Sequence, residues 1–502
     1  MMSNQTIADR TTTPPDEALP VRTAPGTGAH VLTRVLAVFG VALFGWMLWH
    51  SAANTAVFFD GGWTIALAML GSIAAALLLT SVADRWMKRL PFVAVLLLAT
   101  VGLRLAWVLA VDTQPVSDFL DMYAAGVSAA NGDVSFGTND YFSRWVYQLG
   151  FAFYEALLIK LFGNSLLMLK LFNIAFQAGT ALVIYRTAAL AFNDTCGKMA
   201  ALLYALYVPN ILMCSVLTNQ HVSTFLYFLG LMLLIGRSFS GKAGWLFVGL
   251  CFGVGNLMRP LGSFFLLGFV AYVVLIRLVP SIRERKWPAL AAKTIGVLAV
   301  YWLVQQGASF ALVQSGVTPY PLSSQEPYWK FMIGLNPQTN GGWSYEDTLY
   351  VLQFPLGEER NRAELELLKE RLRDKRQVAE LFVSKTKTMW GADDSAPLWS
   401  MPDQDRPALQ KKLIRAERIE YLTMALFGLI AMAVLAIRGR GSPEASLYML
   451  LLLGYAALHV VIEVQTRYRF DIMPCVFVLQ SFGLYAAYAV FKRRWGVSAA
   501  GG

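Results

Sequence analysis

Pro91-Phe-Val-Ala-Val-Leu-Leu-Leu-Ala-Thr-Val-Gly-Leu-Arg104-Leu-Ala-Trp-Val-Leu-Ala-Val111 passes directly into Asp112-Thr-Gln-Pro-Val-Ser-Asp118-Phe-Leu-Asp121-Met-Tyr123. The first part is apolar for long enough to cross the ~30 Å hydrocarbon core as a helix, which takes about twenty residues. The second part is where that helix re-emerges into water. It carries two carboxylates, Asp118 and Asp121, three residues apart on what reads as a short helix, so both are expected to face the same way. The chain is organised around this junction: a membrane helix delivering a pair of acids to one surface.

Working outward, the same kind of apolar run recurs along the chain. Of 502 residues 56% are hydrophobic and only 15% charged, against about a quarter charged in soluble domains. The fold class read from this is an all-α polytopic membrane protein. A net charge of +10 does not imply nucleic acid as a partner, because basic residues of membrane proteins gather in cytoplasmic loops and set orientation. Cys196, Cys214, Cys251 and Cys475 lie in or beside apolar runs with no CxxC or Cys/His spacing. They read as small buried hydrophobes rather than a disulfide framework or a zinc site.

Taken in order, residues 1–30 are polar and rich in Thr, Pro and Ala, the composition of a disordered cytoplasmic tail. The first apolar run starts late and continues at full length, so no cleavable signal peptide is read there. Residues 31–111 hold three spans, near 35–53, 64–82 and 91–111. The short basic loop Asp84-Arg-Trp-Met-Lys-Arg89 between the last two belongs inside. Residues 112–167 then form a first large outer segment, in which 145–163 either crosses the membrane or lies in its interface. The interfacial version is preferred because it places Arg186, Lys198, Arg237, Lys242, Arg277, Lys293, Arg438 and the terminal Lys492-Arg-Arg494 inside. Residues 168–313 and 416–491 supply the remaining spans, about twelve in all, with 492–502 a cytoplasmic tail. Residues 314–415 form an outer loop rich in turn formers that ends in a charged helical run near 358–390.

Under this topology most of the unusual polar residues fall on one side. Asp118 and Asp121 are the candidate catalytic acids, with Asp118 first, although solvated loop carboxylates are common. Tyr123 and Arg144 belong to the same outer segment as candidate substrate contacts. Asn219, Gln220 and His221 sit at an outward turn, where a phosphate or sugar contact and a simple helix cap are equally open. Arg259-Pro260 closes an outward span; Pro suits the return helix's start, and the arginine either binds substrate or snorkels to headgroups. Glu463, Arg467 and Arg469 form the densest cluster. An outward basic cluster runs against the usual bias, which favours phosphate binding through arginine's planar donor fork. Arg104 lies inside a span, where a charge costs roughly 2.5–3.5 kcal/mol on insertion scales, so it is expected to face the bundle or a wet cavity, either in an ion pair with an acid such as Glu155 or as a substrate contact. Tryptophans in the outer loops can stack on sugar rings, although aromatic belts are their commoner use. Histidine spacing gives little support to a metal site, and a divalent cation is left open.

With these residues in view the chain resembles the GT-C glycosyltransferases, in particular the branch of protein O-mannosyltransferases and lipid A aminoarabinose transferases. The resemblance rests on Ser117-Asp118-Phe…Tyr123, Lys160-Leu-Phe-Gly163, Leu217-Thr-Asn-Gln-His221, Asn256-Leu-Met-Arg259-Pro260 and Glu463…Arg467-Tyr-Arg469…Pro474. Where the group has an Asp-Glu pair this chain has Asp118-Phe119, and Asn219-Gln220 stands where Thr-Glu is usual. The resemblance implies an inverting transfer from a polyprenyl-phosphate sugar to an acceptor outside the cytoplasm, read as a cell-envelope glycan, lipid or protein; the short loops and the lack of a eukaryotic-looking retention signal suggest a bacterial inner membrane. Asp118 would take the acceptor proton and basic residues would hold the departing lipid phosphate. A transporter of a lipid-linked sugar is the main rival, but it would place its polar residues near the midplane, often in paired repeats. A non-catalytic envelope scaffold is the third reading.

Overall fold

The computed structural model describes residues 27–402, 405–439 and 441–494, so most of the expected cytoplasmic tails lies outside the described residues. Those residues are helical almost throughout, with one isolated β-bridge between Trp145 and Ser324. Among the described residues nine helices are long and apolar enough to cross a membrane: His30–Phe58, Gly62–Arg85, Arg89–Ala110, Leu166–Ala191, Gly262–Arg283, Trp287–Gln314, Pro407–Arg438, Pro443–Val461 and Met473–Arg494. The other three expected spans fall on shorter helices. Gln220–Ile235 and Gly244–Met258 are whole but short, and Asp194–Leu206 is broken from Val208–Met213. The break has a local cause. Pro209 cannot continue the ladder, and the freed Val208 N–H is taken by Glu420 Oε2 at 2.9 Å.

Met473–Arg494 is the bundle's axis, the most enclosed of the spans, whereas Trp287–Gln314 and Gly62–Arg85 lie at its rim. The axis can be this crowded because of Gly483. A Cβ there would stand 1.8 Å from the Phe427 carbonyl of Pro407–Arg438, so only glycine lets the two backbones meet. Arg104 is fully buried, but Glu155 is not its partner. Its guanidinium donates to Gln177 Oε1, to the Ala205 carbonyl at 2.9 Å and to the Thr100 carbonyl at 3.2 Å. Amide and carbonyl dipoles therefore solvate the charge, and Glu155 is buried elsewhere with its Oε2 unbonded. The four cysteines are free and buried.

The 145–163 segment becomes the helix Leu149–Phe162, of 14 residues. That is about 21 Å of rise against a core of about 30 Å, too short for a straight crossing. It packs on Asp118–Ala130, the short helix that the two acids open. The long loop folds as Trp329–Gly334, Tyr345–Val351, Glu358–Arg371, Lys375–Gly391 and Ala396–Ser400. It is fastened to the membrane part at 461–464. Gly334 lies so close to Ile462 that a Cβ would meet its carbonyl carbon at 2.5 Å. Glu463 N–H donates to the Lys330 carbonyl and Val464 N–H to the Gly341 carbonyl, both at 2.9 Å. Buried Lys385 donates to the carbonyls of Gly334 and Ile462, at 2.6 and 2.8 Å.

Candidate active site

Where Asp118–Ala130, the Arg259 turn, the long loop and the 463–471 turn converge, they enclose a cavity of about 480 Å³. Asp118 enters it from the first turn of its helix, half-buried, just after Ser117, whose φ of 53° is in the left-handed region. That conformation is unfavourable for a residue with a Cβ and is found where the surroundings enforce it. Asp121 does not share the cavity: three residues of helix turn it about 60° away, and it is exposed. Although Asp121 reaches solvent, partial desolvation and then the Asp118 charge push its carboxyl above the usual range.

Three cations reach this space, each held differently. Arg259 ends Gly244–Met258, with Pro260 next. Its Nη2 lies 3.0 Å from Asp471 Oδ2, and its Nη1 donates to Asn219 Oδ1 at 3.1 Å. Asp471 is fully committed, since it also accepts from Gln220 Nε2 at 3.1 Å and the Tyr455 hydroxyl at 3.3 Å. Arg259 is thus aimed by a buried carboxylate. Lys330, from the long loop, pairs with Glu463. Glu463 also accepts from Gln465 Nε2 at 2.7 Å and the Tyr468 hydroxyl at 2.9 Å. Burial alone would raise the Glu463 carboxyl, but the Lys330 ammonium and these donors outweigh it and hold it below the ordinary value.

Arg467 is the third. Its guanidinium lies over the rings of Trp399, Phe119 and Tyr468, at 4.5, 5.0 and 5.5 Å. Its Nε donates to Gln465 Oε1 at 2.7 Å. No acid pairs with it among the described residues, where the ion pairs involve other arginines and lysines. A positive charge clamped between aromatic faces, without a counter-ion, beside a cavity that also receives Asp118, is suited to an anion. Tyr147 also lines the cavity, and burial pushes its phenol up to about 12, so it is a neutral donor at working pH.

Of the residues singled out in the sequence, Asp118, Asn219, Arg259, Glu463 and Arg467 line the cavity. The others do not. Tyr123 turns away and donates to Asn164 Oδ1 at 2.7 Å. Arg144 is buried in an ion pair with Glu326 at 2.8 Å. Gln220 stands behind Asp471. His221 is buried, its Nε2 near the Met213 carbonyl at 2.9 Å and its ring edge-on to Phe470, so it has no face toward a substrate. Arg469 is buried in an ion pair with Asp394 at 3.1 Å and donates to the Ala392 carbonyl at 2.9 Å. These groups brace the site through the partners just given, although Arg144 keeps one buried terminal nitrogen without a partner. Sequence reading missed Lys330, Asp471, Tyr147, Tyr468 and His459, all but Asp471 on the cavity wall. Among the described residues no group of three or more His, Cys, Asp or Glu is arranged to hold a metal.

Residues 149–304 match the family model described as dolichyl-phosphate-mannose-protein mannosyltransferase. That stretch carries Asn219 and Arg259, and the match supports the class of GT-C membrane glycosyltransferases. No curated protein matches the chain at a significant level. Among solved structures, the crystal structure of ArnT from Cupriavidus metallidurans bound to undecaprenyl phosphate is similar at 14% identity, over 80% of this chain and 75% of that one. The TM-score is 0.33, too low to carry an argument about this site.

Proposed function

We propose that the chain transfers a sugar from a polyprenyl-phosphate donor to a hydroxyl acceptor on the outer side of a bacterial inner membrane, with inversion at the sugar carbon. The observation that carries this is Arg467, a cation without an acid partner, clamped over the ring of Phe119, whose neighbour Asp118 lines the same cavity. Asp118 removes the acceptor proton as the oxygen attacks the anomeric carbon. The bond from that carbon to the phosphate oxygen breaks, and the departing lipid phosphate takes the electron pair. Arg467, Arg259 and Lys330 are placed to stabilise that growing negative charge, and they need little rearrangement because aromatic rings and carboxylates already fix them. The family match over 149–304 supports the same reading, and the basic loops expected at the opposite side favour an outward-facing cavity.

The test is release of polyprenyl phosphate from purified full-length protein given polyprenyl-phosphate sugars and envelope acceptors. Turnover by the wild type that disappears in Asp118→Asn is expected. Equal turnover in both proteins would remove Asp118 as the base, and donor binding without turnover across the acceptor panel would favour a transporter.

A further inference from the structure

Most polar side chains on the wall of the reaction cavity are already engaged within the protein. Gln148, Asn219 and Asn256 each use both ends of the amide. The Tyr455 hydroxyl donates to the Tyr468 carbonyl at 2.8 Å, and the Tyr468 hydroxyl donates to Glu463 at 2.9 Å. What Arg259, Lys330, Arg467 and the Tyr147 phenol bring to the space is protons. A substrate that fills it therefore meets mainly donors.

His459 is the exception. Its Nδ1 lies 3.0 Å from the Tyr455 carbonyl, and a carbonyl can only accept, so Nδ1 carries the ring proton. In the neutral ring Nε2 is then a lone pair. That nitrogen has no hydrogen-bond partner and is not shielded, so its open side is the cavity that the residue lines. A second ring proton would add a further cation to a space that already receives Arg259, Lys330 and Arg467. The ring is also held in place, packed 4.2 Å from the Tyr455 ring and 6.0 Å from the Tyr468 ring. Arg259 and Arg467 lie over that same Tyr468 ring, at 5.6 and 5.5 Å. His459 thus stands at the end of the cavity where both arginines are.

We propose that His459 is a specificity-determining residue whose Nε2 accepts a hydrogen bond from one ring hydroxyl of the donor sugar. This rests on the reading of the cavity as a site for a polyprenyl-phosphate sugar. Ionised phosphate presents only acceptor oxygens, so the lone pair has no use for it, although the arginines beside it do. The part of the donor that adjoins the phosphate and carries O–H donors is the sugar. A sugar with a hydroxyl at the right ring position satisfies Nε2, and one without it leaves a buried acceptor unpaired.

The test is equilibrium binding to the purified full chain, without acceptor. The probes are sugar-free undecaprenyl phosphate, its mannose, glucose, galactose and arabinose conjugates, and the singly deoxygenated analogues of whichever conjugate binds tightest. One analogue should bind the wild type roughly 5- to 150-fold more weakly than its parent. His459→Asn reaches only as far as Nδ1, so it can keep the Tyr455 bond while withdrawing from the cavity. It should bind that analogue and the parent equally, with affinity for the sugar-free lipid near wild type. His459→Gln extends an amide oxygen to the Nε2 position and should restore part of the difference. Three results would each overturn the proposal: equal binding of all analogues by the wild type, a difference that survives in His459→Asn, or equal weakening of the sugar-free lipid, which would make the histidine merely structural. Failure of the transfer reading looks different. It shows as turnover indifferent to Asp118, with this binding ratio intact, or as no binding of any carrier lipid, which strikes both.

Discussion

Replacing Arg467 tests the site most directly, because its contacts separate two contributions to donor binding. The cation–π contacts with Trp399, Phe119 and Tyr468 are present before any ligand arrives, so they preorganise the guanidinium and drop out of the binding difference. The Nε is engaged by Gln465, which leaves the terminal nitrogens for phosphate. A hydrogen bond to a charged group is worth about 1.5–3 kcal/mol. Arg467→Ala should therefore weaken polyprenyl-phosphate affinity by roughly 10- to 150-fold, taking about 1.4 kcal/mol per decade. Arg467→Lys keeps the charge but loses the planar fork and the flat stack, so it should fall between wild type and alanine rather than rescue. Equilibrium binding of polyprenyl phosphate to detergent-purified protein, by intrinsic tryptophan fluorescence, reads both. Unchanged affinity in Arg467→Ala would refute the assignment and return this arginine to an anchor for surrounding lipid headgroups. Full rescue by lysine would show that charge alone matters and that the aromatic clamp is incidental.

Asp118→Asn should abolish transfer while leaving donor affinity and thermal stability near wild type, measured by polyprenyl-phosphate release, binding and a melting curve. Asp471→Asn should lower both stability and donor affinity, because it leaves Arg259 without its buried counter-charge; breaking such a pair costs about 3–5 kcal/mol, and an unchanged melting temperature would count against the role given to it. Glu364, outside the membrane spans, has both carboxylate oxygens buried and unpartnered, and burial followed by the nearby Glu326 charge pushes its carboxyl up to about 8. A raised carboxyl pKa means that the folded state binds the proton more tightly, so stability falls as pH rises from the usual carboxylate range through about 8 and is level above it. Glu364→Gln should remove that slope and raise the melting temperature at pH above about 8; an identical pH profile would contradict this.

The helical membrane class was legible because apolar run length is a direct physical requirement of the bilayer. Asp118, Arg259, Glu463 and Arg467 were legible for a related reason, since each stands just beyond an apolar run, where position along the chain fixes position across the membrane. The same logic misled for Gln220, His221 and Arg469. Run ends give the side of the membrane but not the rotation, and each further residue of helix turns a side chain by about 100°. Gln220 and His221 therefore point into the bundle beside Asn219, which faces the cavity. Arg104 showed a different limit: sequence demands compensation for a buried charge, but carbonyls and an amide meet it as well as an acid does. Lys330 carried no mark at all. It is one lysine in a loop of about one hundred residues, and only the fastening of that loop to 461–464 brings it beside Glu463.

That fastening bears on how much of the chain can be dispensed with. The strap carrying Lys330 and the turn carrying Glu463 and Arg467 are remote in sequence, but two backbone hydrogen bonds, Lys385 and the Gly334 contact make them move together. The long loop is thus not an ornament on a membrane protein, to be trimmed for expression or exchanged between relatives. Cutting it out would remove the wall built between residues 322 and 331, with Glu326 and Lys330, and the Trp399 ring on which Arg467 rests.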